Sequence, residues 1–337
     1  MTTERRPIHG GDLAAARKSA PQWQGIWIDL STGINPWPYP VPPLADDLWH
    51  RLPGGDLVDA ATAAARAHYG APANALNGAA VVAAPGSQAI IQALPRLRRP
   101  GRVVVFGPTY GEHEFCWRSA GHAVEVVEDL PAGADADVVV VTNPNNPDGR
   151  VVAPDDLRPV AAGLAARGGW LVVDEAFADL QPGASMAPFA DIPGLCVLRS
   201  FGKFFGLAGL RLGFAIAGAD IGAALGAALG PWAVGGPALA IGATALADRA
   251  WIAATRDRLA AAAATLRDDL TASGFALAGG TDLFQLAAHD KAEAIFDGLL
   301  RNGIFVRRFP DRPGLLRFGL PADRAQRDRL NHALADD

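Results

Sequence analysis

Lysine is scarce in this 337-residue chain: Lys18, Lys203 and Lys291 are the only lysines among its 30 basic residues. Arginine carries the rest of the positive charge and stays protonated, whereas a lysine can lose its proton and attack a carbonyl. Cysteine is scarcer still. Cys116 and Cys196 lie among apolar and aromatic neighbours, which points to small core residues and away from a disulfide framework. There is no long basic run, and the formal net charge of −5 argues against a nucleic-acid partner. The seven histidines show no ligand spacing, so no metal is expected. No G-x-G-x-x-G follows the first strand and no Walker lysine occurs, which removes the common nucleotide-binding folds. The opening M-T-T-E-R-R-P-I-H-G-G has no apolar core of the signal-peptide kind, so a cytoplasmic location is expected by default.

One uncharged run, Ile221 to Ala247, is long enough to span a bilayer. It is built mainly of Ala and Gly, which gain little in lipid, and Pro231 and Pro237 divide it. It reads as soluble core or as a subunit interface.

What remains is a globular composition, half hydrophobic and 19% charged, long enough for two domains. Residues 1 to about 45 read as irregular, with H-G-G-D at His9–Asp12 and a Pro-rich G-I-N-P-W-P-Y-P-V-P-P from Gly33. Leu57–His68 reads as an Ala-rich helix. Then short Val-rich runs at Arg102–Phe106, Ala123–Val127, Asp137–Thr142, Trp170–Asp174 and Leu195–Ser200 alternate with helix-length segments such as Ser87–Leu97, Gly111–Ala120 and Pro154–Arg167. That alternation indicates an α/β fold with a mostly parallel central sheet and helices on both faces. Arg249–Leu270 reads as a long helix, and F-A-L-A, D-L-F-Q-L-A-A, I-F-V-R-R and L-L-R-F-G-L beyond it suggest a smaller α+β domain. We expect a large domain over 46–270, and an N-terminal arm and small domain from 1–45 together with 271–337.

Ligands in such folds gather beyond the carboxyl ends of the strands. Four motifs fall there or at the adjoining helices: Pro85–Gln88, Asn143–Gly149, Asp174–Phe177 and Ser200–Lys203. Lys203 stands in R-S-F-G-K-F-F-G-L-A-G-L-R-L-G-F, an apolar, Gly-rich setting unlike that of a solvated lysine. A desolvated lysine close to another cation is the usual form of a Schiff-base nucleophile.

The combination S-x-x-K with Arg eight residues on, preceded in order by N-P-D-G and D-E-A-F, resembles the fold-type-I pyridoxal-phosphate enzymes, the class I/II aminotransferase superfamily, over nearly the whole chain. The resemblance implies pyridoxal 5′-phosphate as cofactor and Lys203 as the amine that holds it. It implies Asp174 as the carboxylate that keeps the ring nitrogen protonated, though taken singly Asp174 could be a helix cap. Asn146 would donate to the ring's phenolate oxygen, and Tyr110 would stack on the ring. Gly86, Ser87 and Gln88 at a helix start, with Ser200 and Arg211, would bind the phosphate.

Within that superfamily the chain looks closer to the L-threonine-O-3-phosphate decarboxylase family of cobalamin biosynthesis than to the histidinol-phosphate aminotransferases. The carriers are H-G-G at His9–Gly11, G-I-N-P at Gly33–Pro36, Phe177 where aminotransferases have Tyr, P-W-A-V at Pro231–Val234, and a C-terminal Arg307 and Arg317. Leu52 stands where histidinol-phosphate enzymes carry a Tyr that reaches a neighbouring subunit. The implied substrate is a phosphorylated amino acid bound by His9, Asn35, Arg307 and Arg317, with Arg317 on the carboxylate. Any of Arg307, Arg308 and Arg312 could meet the substrate phosphate. A homodimer is expected. The competing readings are a histidinol-phosphate-type aminotransferase and a non-catalytic regulatory or assembly protein on the same scaffold.

Overall fold

The computed structural model describes residues 7, 9–72, 79–130 and 135–335. The chain divides into two compact units. One contains Tyr39–Asn146 and Arg150–Ile252, and the other Ile8–Pro38, Pro147–Gly149 and Ala253–Asp337. In chain order the strands are β1 (Ile28–Leu30), β2 (Ala80–Ala84), β3 (Arg102–Phe106), β4 (Ala123–Val127), β5 (Val138–Thr142), β6 (Trp170–Asp174), β7 (Leu195–Ser200), β8 (Gly213–Ala217), β9 (Ala276–Thr281), β10 (Phe284–Ala288), β11 (Ile304–Arg308) and β12 (Leu315–Gly319).

The first unit holds a seven-stranded sheet ordered β2-β8-β7-β6-β5-β3-β4, parallel except for β8, which runs against both its neighbours. Every residue of β5, β7 and β8 is buried, on both alternating faces. A strand buried on both sides is mostly apolar, which is why V-V-V-V-T and L-C-V-L-R-S lack the polar alternation of a half-exposed strand and keep their polar residues at the carboxyl end. Helices cover the sheet, among them Gly55–Tyr69, Ser87–Ala93, Glu112–Ser119, Pro154–Ala165 and Ala219–Leu229. Residues from β3, β5, β6, β7 and β8 join Ile90, Leu94, Trp117 and Leu225 in one hydrophobic core. Both cysteines are buried. Burial pushes the Cys116 thiol up to about 11 and that of Cys196 to about 12, so neither is a ready nucleophile.

Register fixes what this sheet presents at its carboxyl edge. Thr142 of β5 pairs with Asp174 of β6, Asp174 with Leu198 of β7, and Ser200 with Gly213 of β8. The ends of β5, β6 and β7 therefore lie side by side, and each opens into a motif singled out above. The uncharged run Ile221–Ala247 divides between helices Ala219–Leu229 and Gly236–Ala247, broken by Gly230 and Pro231. Among the described residues no helix is long and apolar enough to cross a membrane.

The second unit holds a five-stranded sheet ordered β1-β11-β12-β10-β9, with β1 parallel to β11 and the remaining pairs antiparallel. Helices Ala292–Arg301 and Arg324–Ala335 belong to it, and the long helix Arg249–Ala272 carries the chain into it. The expectation of an irregular first 45 residues is corrected here. Leu13–Ser19 is a helix started by Asp12, whose Oδ1 accepts the Ala15 N–H at 2.9 Å, and Ile28–Leu30 is an edge strand. Both are too short to show periodicity in sequence.

Candidate active site

Strand β6 ends on Asp174, only 3% exposed. Its Oδ1 accepts the Ala176 N–H at 3.1 Å, a local turn contact, and its Oδ2 lies 2.9 Å from His113 Nε2. His113 is itself 1% exposed and stands on helix Glu112–Ser119. The carboxylate is thus held from its own strand end and from a separate helix. Such a buried acid is costly unless it serves or meets a cation.

Strand β7 ends on Ser200 and passes into the single turn Phe201–Phe204 that carries Lys203. The Lys203 Nζ stands 5.7 Å from the centre of the Phe177 ring, and Phe177 follows Asp174 by three residues. Around this turn, Phe201 stacks on Phe205 at 4.4 Å and Phe205 on Trp251 at 5.6 Å. Gly202 has to be glycine, since a Cβ there would come within 2.8 Å of Ala208 Cα.

Beside Ser200 the backbone and a guanidinium approach too closely for side chains to fit between them. A Cβ on Gly86 would collide with the Arg211 guanidinium, and one on Gly213 would stand 2.5 Å from Ser87 N. Gly213 pairs with Ala84 on one side and Ser200 on the other, so Gly86, Ser87, Ser200 and Arg211 converge. Gly86 has φ +83 and opens helix Ser87–Ala93. Arg211 holds a left-handed backbone, φ 54, with Nη1 donating to Ala208 O at 3.0 Å. A non-glycine residue pays for that conformation and keeps it where the surroundings or a ligand require it. Backbone donors at a helix start, a hydroxyl and a guanidinium together make an anion cradle.

The Gln88 side chain turns elsewhere. Its Nε2 donates to Glu112 Oε2 at 2.7 Å, and its Oε1 accepts the Tyr110 hydroxyl at 3.2 Å. This brace fixes the Tyr110 ring, which also meets His113 edge-on at 6.0 Å. Burial, then the charges of Glu112 and Asp174, raise the Tyr110 pKa, so its phenol stays protonated. The N-P-N-N-P-D-G turn is held by its first two asparagines. Asn143 Nδ2 donates to Val152 O and Ala184 O, and Asn145 Nδ2 donates to Pro108 O at 3.0 Å. Asn146 follows, half-buried, on the same loop.

In the second unit Arg307 and Arg317 stand directly opposite one another on β11 and β12. Like charges at that position repel. Arg317 is 6% exposed; burial, then Arg307, pull its pKa down to about 9, and its Nη2 donates to Ser31 O at 2.9 Å. Arg308 belongs to the other face of β11 and packs over Phe296 at 4.7 Å, and Arg312 lies on the loop beyond. Asn35 is buried, with Oδ1 accepting the Trp37 N–H at 2.9 Å. His9 is exposed.

Sequence reasoning missed two features of the first unit. One is His113, three residues after Tyr110 on a helix whose turn brings both toward Asp174. The other is a buried ionic cluster next to the motif residues. Arg199 meets Glu175 at 2.7 Å and Asp179 at 3.1 Å, and Asp179 meets His68 Nε2 at 2.7 Å. Glu175 also accepts Ser185 Oγ and Met186 N. Burial pulls the Arg199 pKa down, but Asp179 and Glu175 outweigh it and hold the guanidinium charged. The cue available in sequence was adjacency: Glu175 follows Asp174, and Arg199 precedes Ser200.

The family model for aminotransferase class I and II matches residues 42–334. A threonine-phosphate decarboxylase of Pseudomonas aeruginosa is 47% identical over 329 residues, 97% of this chain and 96% of that one. A threonine-phosphate decarboxylase of a Sinorhizobium species is 44% identical over 335 residues, 97% of both. Among solved structures, histidinol-phosphate aminotransferase from Sinorhizobium meliloti in complex with pyridoxal 5′-phosphate aligns with a TM-score of 0.79. That alignment takes in 100% of this chain and 96% of the other at 20% identity, a likeness of fold.

Proposed function

This chain belongs to the aminotransferase class I and II family, and on that footing we propose that it is a pyridoxal-phosphate-dependent decarboxylase. Its substrate is L-threonine O-3-phosphate and its product (R)-1-amino-2-propanol O-2-phosphate, a step of cobalamin biosynthesis. The observation that carries this reading is the match across 97% of the chain to two threonine-phosphate decarboxylases. The residues present suit the cofactor: the glycine-lined cradle at Gly86 and Gly213 has donors for a phosphate, and a buried acid and a half-buried amine stand at neighbouring strand ends.

Bound pyridoxal phosphate supplies an aldehyde that captures amines and a protonated ring that accepts the electron pair left when a bond at Cα breaks. The chain's part is binding, orientation and proton placement. Lys203 is the amine that would hold the aldehyde and exchange it for the substrate amine. Asp174, fixed by His113 and the Ala176 N–H, keeps the ring nitrogen protonated. Ser87 and Gln88 would offer main-chain N–H groups to the cofactor phosphate with Ser200 and Arg211, beside Gly86, whose own N–H goes to Ala84 O at 2.7 Å, while the Gln88 side chain steadies the Tyr110 that would stack on the ring. Asn146 donates to the phenolate oxygen. Arg317 takes the substrate carboxylate, Arg307 and His9 the substrate phosphate, and Asn35 lines the same subsite. Of the three arginines left open by sequence, Arg307 is favoured because it shares a sheet face with Arg317. Holding both anionic ends of the substrate would fix which bond at Cα is broken.

An aminotransferase would instead labilise the C–H bond and use Lys203 to move that proton. Phe177, which has no hydroxyl, and Leu52 speak against it. Retention of Lys203, Asp174, Asn146 and Arg211 together speaks against a non-catalytic protein. Release of CO2 from O-phospho-L-threonine by the pyridoxal-phosphate-loaded protein tests the reading. Amino-group transfer to an oxo-acid without CO2 release would replace it with the aminotransferase.

The same reading includes a homodimer in the cytoplasm and a division into a large domain at 46–270 and a small one from 1–45 with 271–337. Support for the dimer is an apolar groove in the first unit lined by Pro53, Val58, Leu229, Trp232 and Val234. Trp49, Leu52 and Trp232 are each at least 60% exposed, which is costly unless covered. Light scattering on the purified protein would read one chain mass if this is wrong.

A further inference from the structure

The H-G-G segment has little freedom. A Cβ on Gly10 would fall against the Ser31 carbonyl oxygen, so the two backbones touch. Gly11 adopts φ +86, and its N–H donates to Ser31 Oγ at 2.7 Å. The Ser31 hydroxyl donates its one proton to Asp29 Oδ1 at 2.6 Å, and that oxygen also accepts the Ser31 N–H at 2.9 Å. The carboxylate can only accept, so it dictates the hydroxyl's direction: proton toward Asp29, lone pair toward Gly11. Ser31 is fully buried, and its carbonyl oxygen accepts from Arg317 Nη2 at 2.9 Å. One residue thus meets the H-G-G segment through its side chain and Arg317 through its main chain. The adjoining strand is equally close, since a Cβ on Gly319 would stand 2.5 Å from Thr32 O.

We infer that Ser31, oriented by Asp29, is a positioning residue that sets the span between His9 and Arg317, and so selects amino acids bearing a second anion on the side chain. The inference rests on the reading of His9 and Arg317 as substrate-binding. Removing the hydroxyl leaves the Arg317 contact in place, because that contact is made to the main chain. The loss therefore falls on the side-chain phosphate and spares the carboxylate.

The test compares kcat/KM for O-phospho-L-threonine with that for L-threonine in the loaded enzyme. Ser31→Ala is expected to lower that ratio about tenfold, the worth of one hydrogen bond to a group that orients a charge, through KM with kcat little changed. The inhibition constant for inorganic phosphate should rise with it, while the visible absorbance of the bound cofactor stays as in wild type. Asp29→Asn, which keeps an acceptor for the hydroxyl, should retain most of the ratio, and Asp29→Leu should lose it. An unchanged ratio in Ser31→Ala overturns the inference, as does an equal loss on both substrates with weakened cofactor absorbance, which marks a merely structural role. A wild-type protein that releases no CO2 defeats the decarboxylase reading separately. The ratio is then read from calorimetric Kd values for the same two amino acids, with the same outcomes for and against.

Discussion

In the unit built on β2–β8, the buried Arg199 lies against Glu175 and Asp179, and the buried Asp174 against His113. In the unit built on β1 and β9–β12, a buried Arg317 faces a second arginine across two strands. In the first arrangement opposite charges meet within the protein, and they hold the strand ends that carry Asp174, Ser200 and Lys203. The second sets two positive charges opposite one another, a repulsion that an anion would lessen. On the proposed reading, electrostatic preorganisation for a resident cofactor and recognition of a transient dianion would be built differently. The first should resist change in the ligand and fail when a partner is removed; the second should respond to the ligand and tolerate loss of a charge.

The comparison breaks most severely at Arg199. Arg199→Met leaves Glu175 and Asp179 buried without their cation and should cost about 3–5 kcal/mol of unfolding free energy, read by urea denaturation. Asp174→Asn should leave stability nearly intact yet lower kcat by about 10²–10³-fold, as loss of a preorganised electrostatic contact does. Its bound cofactor should also absorb differently, because the ring loses the partner of its proton. His113→Phe acts through Asp174, so a smaller fall of about tenfold in kcat is expected, from one hydrogen bond.

The gentlest tests concern the arginine pair. The folded pKa of Arg317 is lowered to about 9 from an ordinary 12.5, so its charge opposes folding at neutral pH. The sign follows: the unfolded chain binds more protons between those values, and that opposition fades only as pH rises through about 9 toward 12.5. At neutral pH an anion, or removal of Arg307, would lessen it. Arg307→Leu should therefore raise unfolding free energy by about 0.5 kcal/mol while weakening phosphothreonine binding. Inorganic phosphate should raise the melting temperature of the loaded wild type more than that of Arg307→Leu.

The same contrast explains what could be read in advance. Asp174, Ser200, Lys203 and Arg211 sit in short local motifs at strand ends, because a parallel sheet delivers its functional groups where strand passes to helix. The Val-rich strands were legible because burial on both faces fills β5 to β7 with apolar residues up to their carboxyl ends, where Thr142, Asp174, Arg199 and Ser200 stand. His113 was not, since a histidine inside E-H-E-F-C-W carries no mark of which helix face it occupies. Ser31 was hidden for another reason: its three partners lie at Gly11, Asp29 and Arg317, and only the fold joins the first to the last. Leu13–Ser19 and Ile28–Leu30 escaped because each is shorter than the window a pattern needs.

Attachment of the cofactor to Lys203 underlies every other assignment in the site. Borohydride reduction of the yellow, pyridoxal-phosphate-loaded protein, followed by digestion and mass spectrometry, should put the reduced pyridoxyl group on the peptide containing Lys203, and Lys203→Ala should yield none. A label on Lys18 or Lys291, or no label on a protein that nonetheless releases CO2 from phosphothreonine, would contradict it.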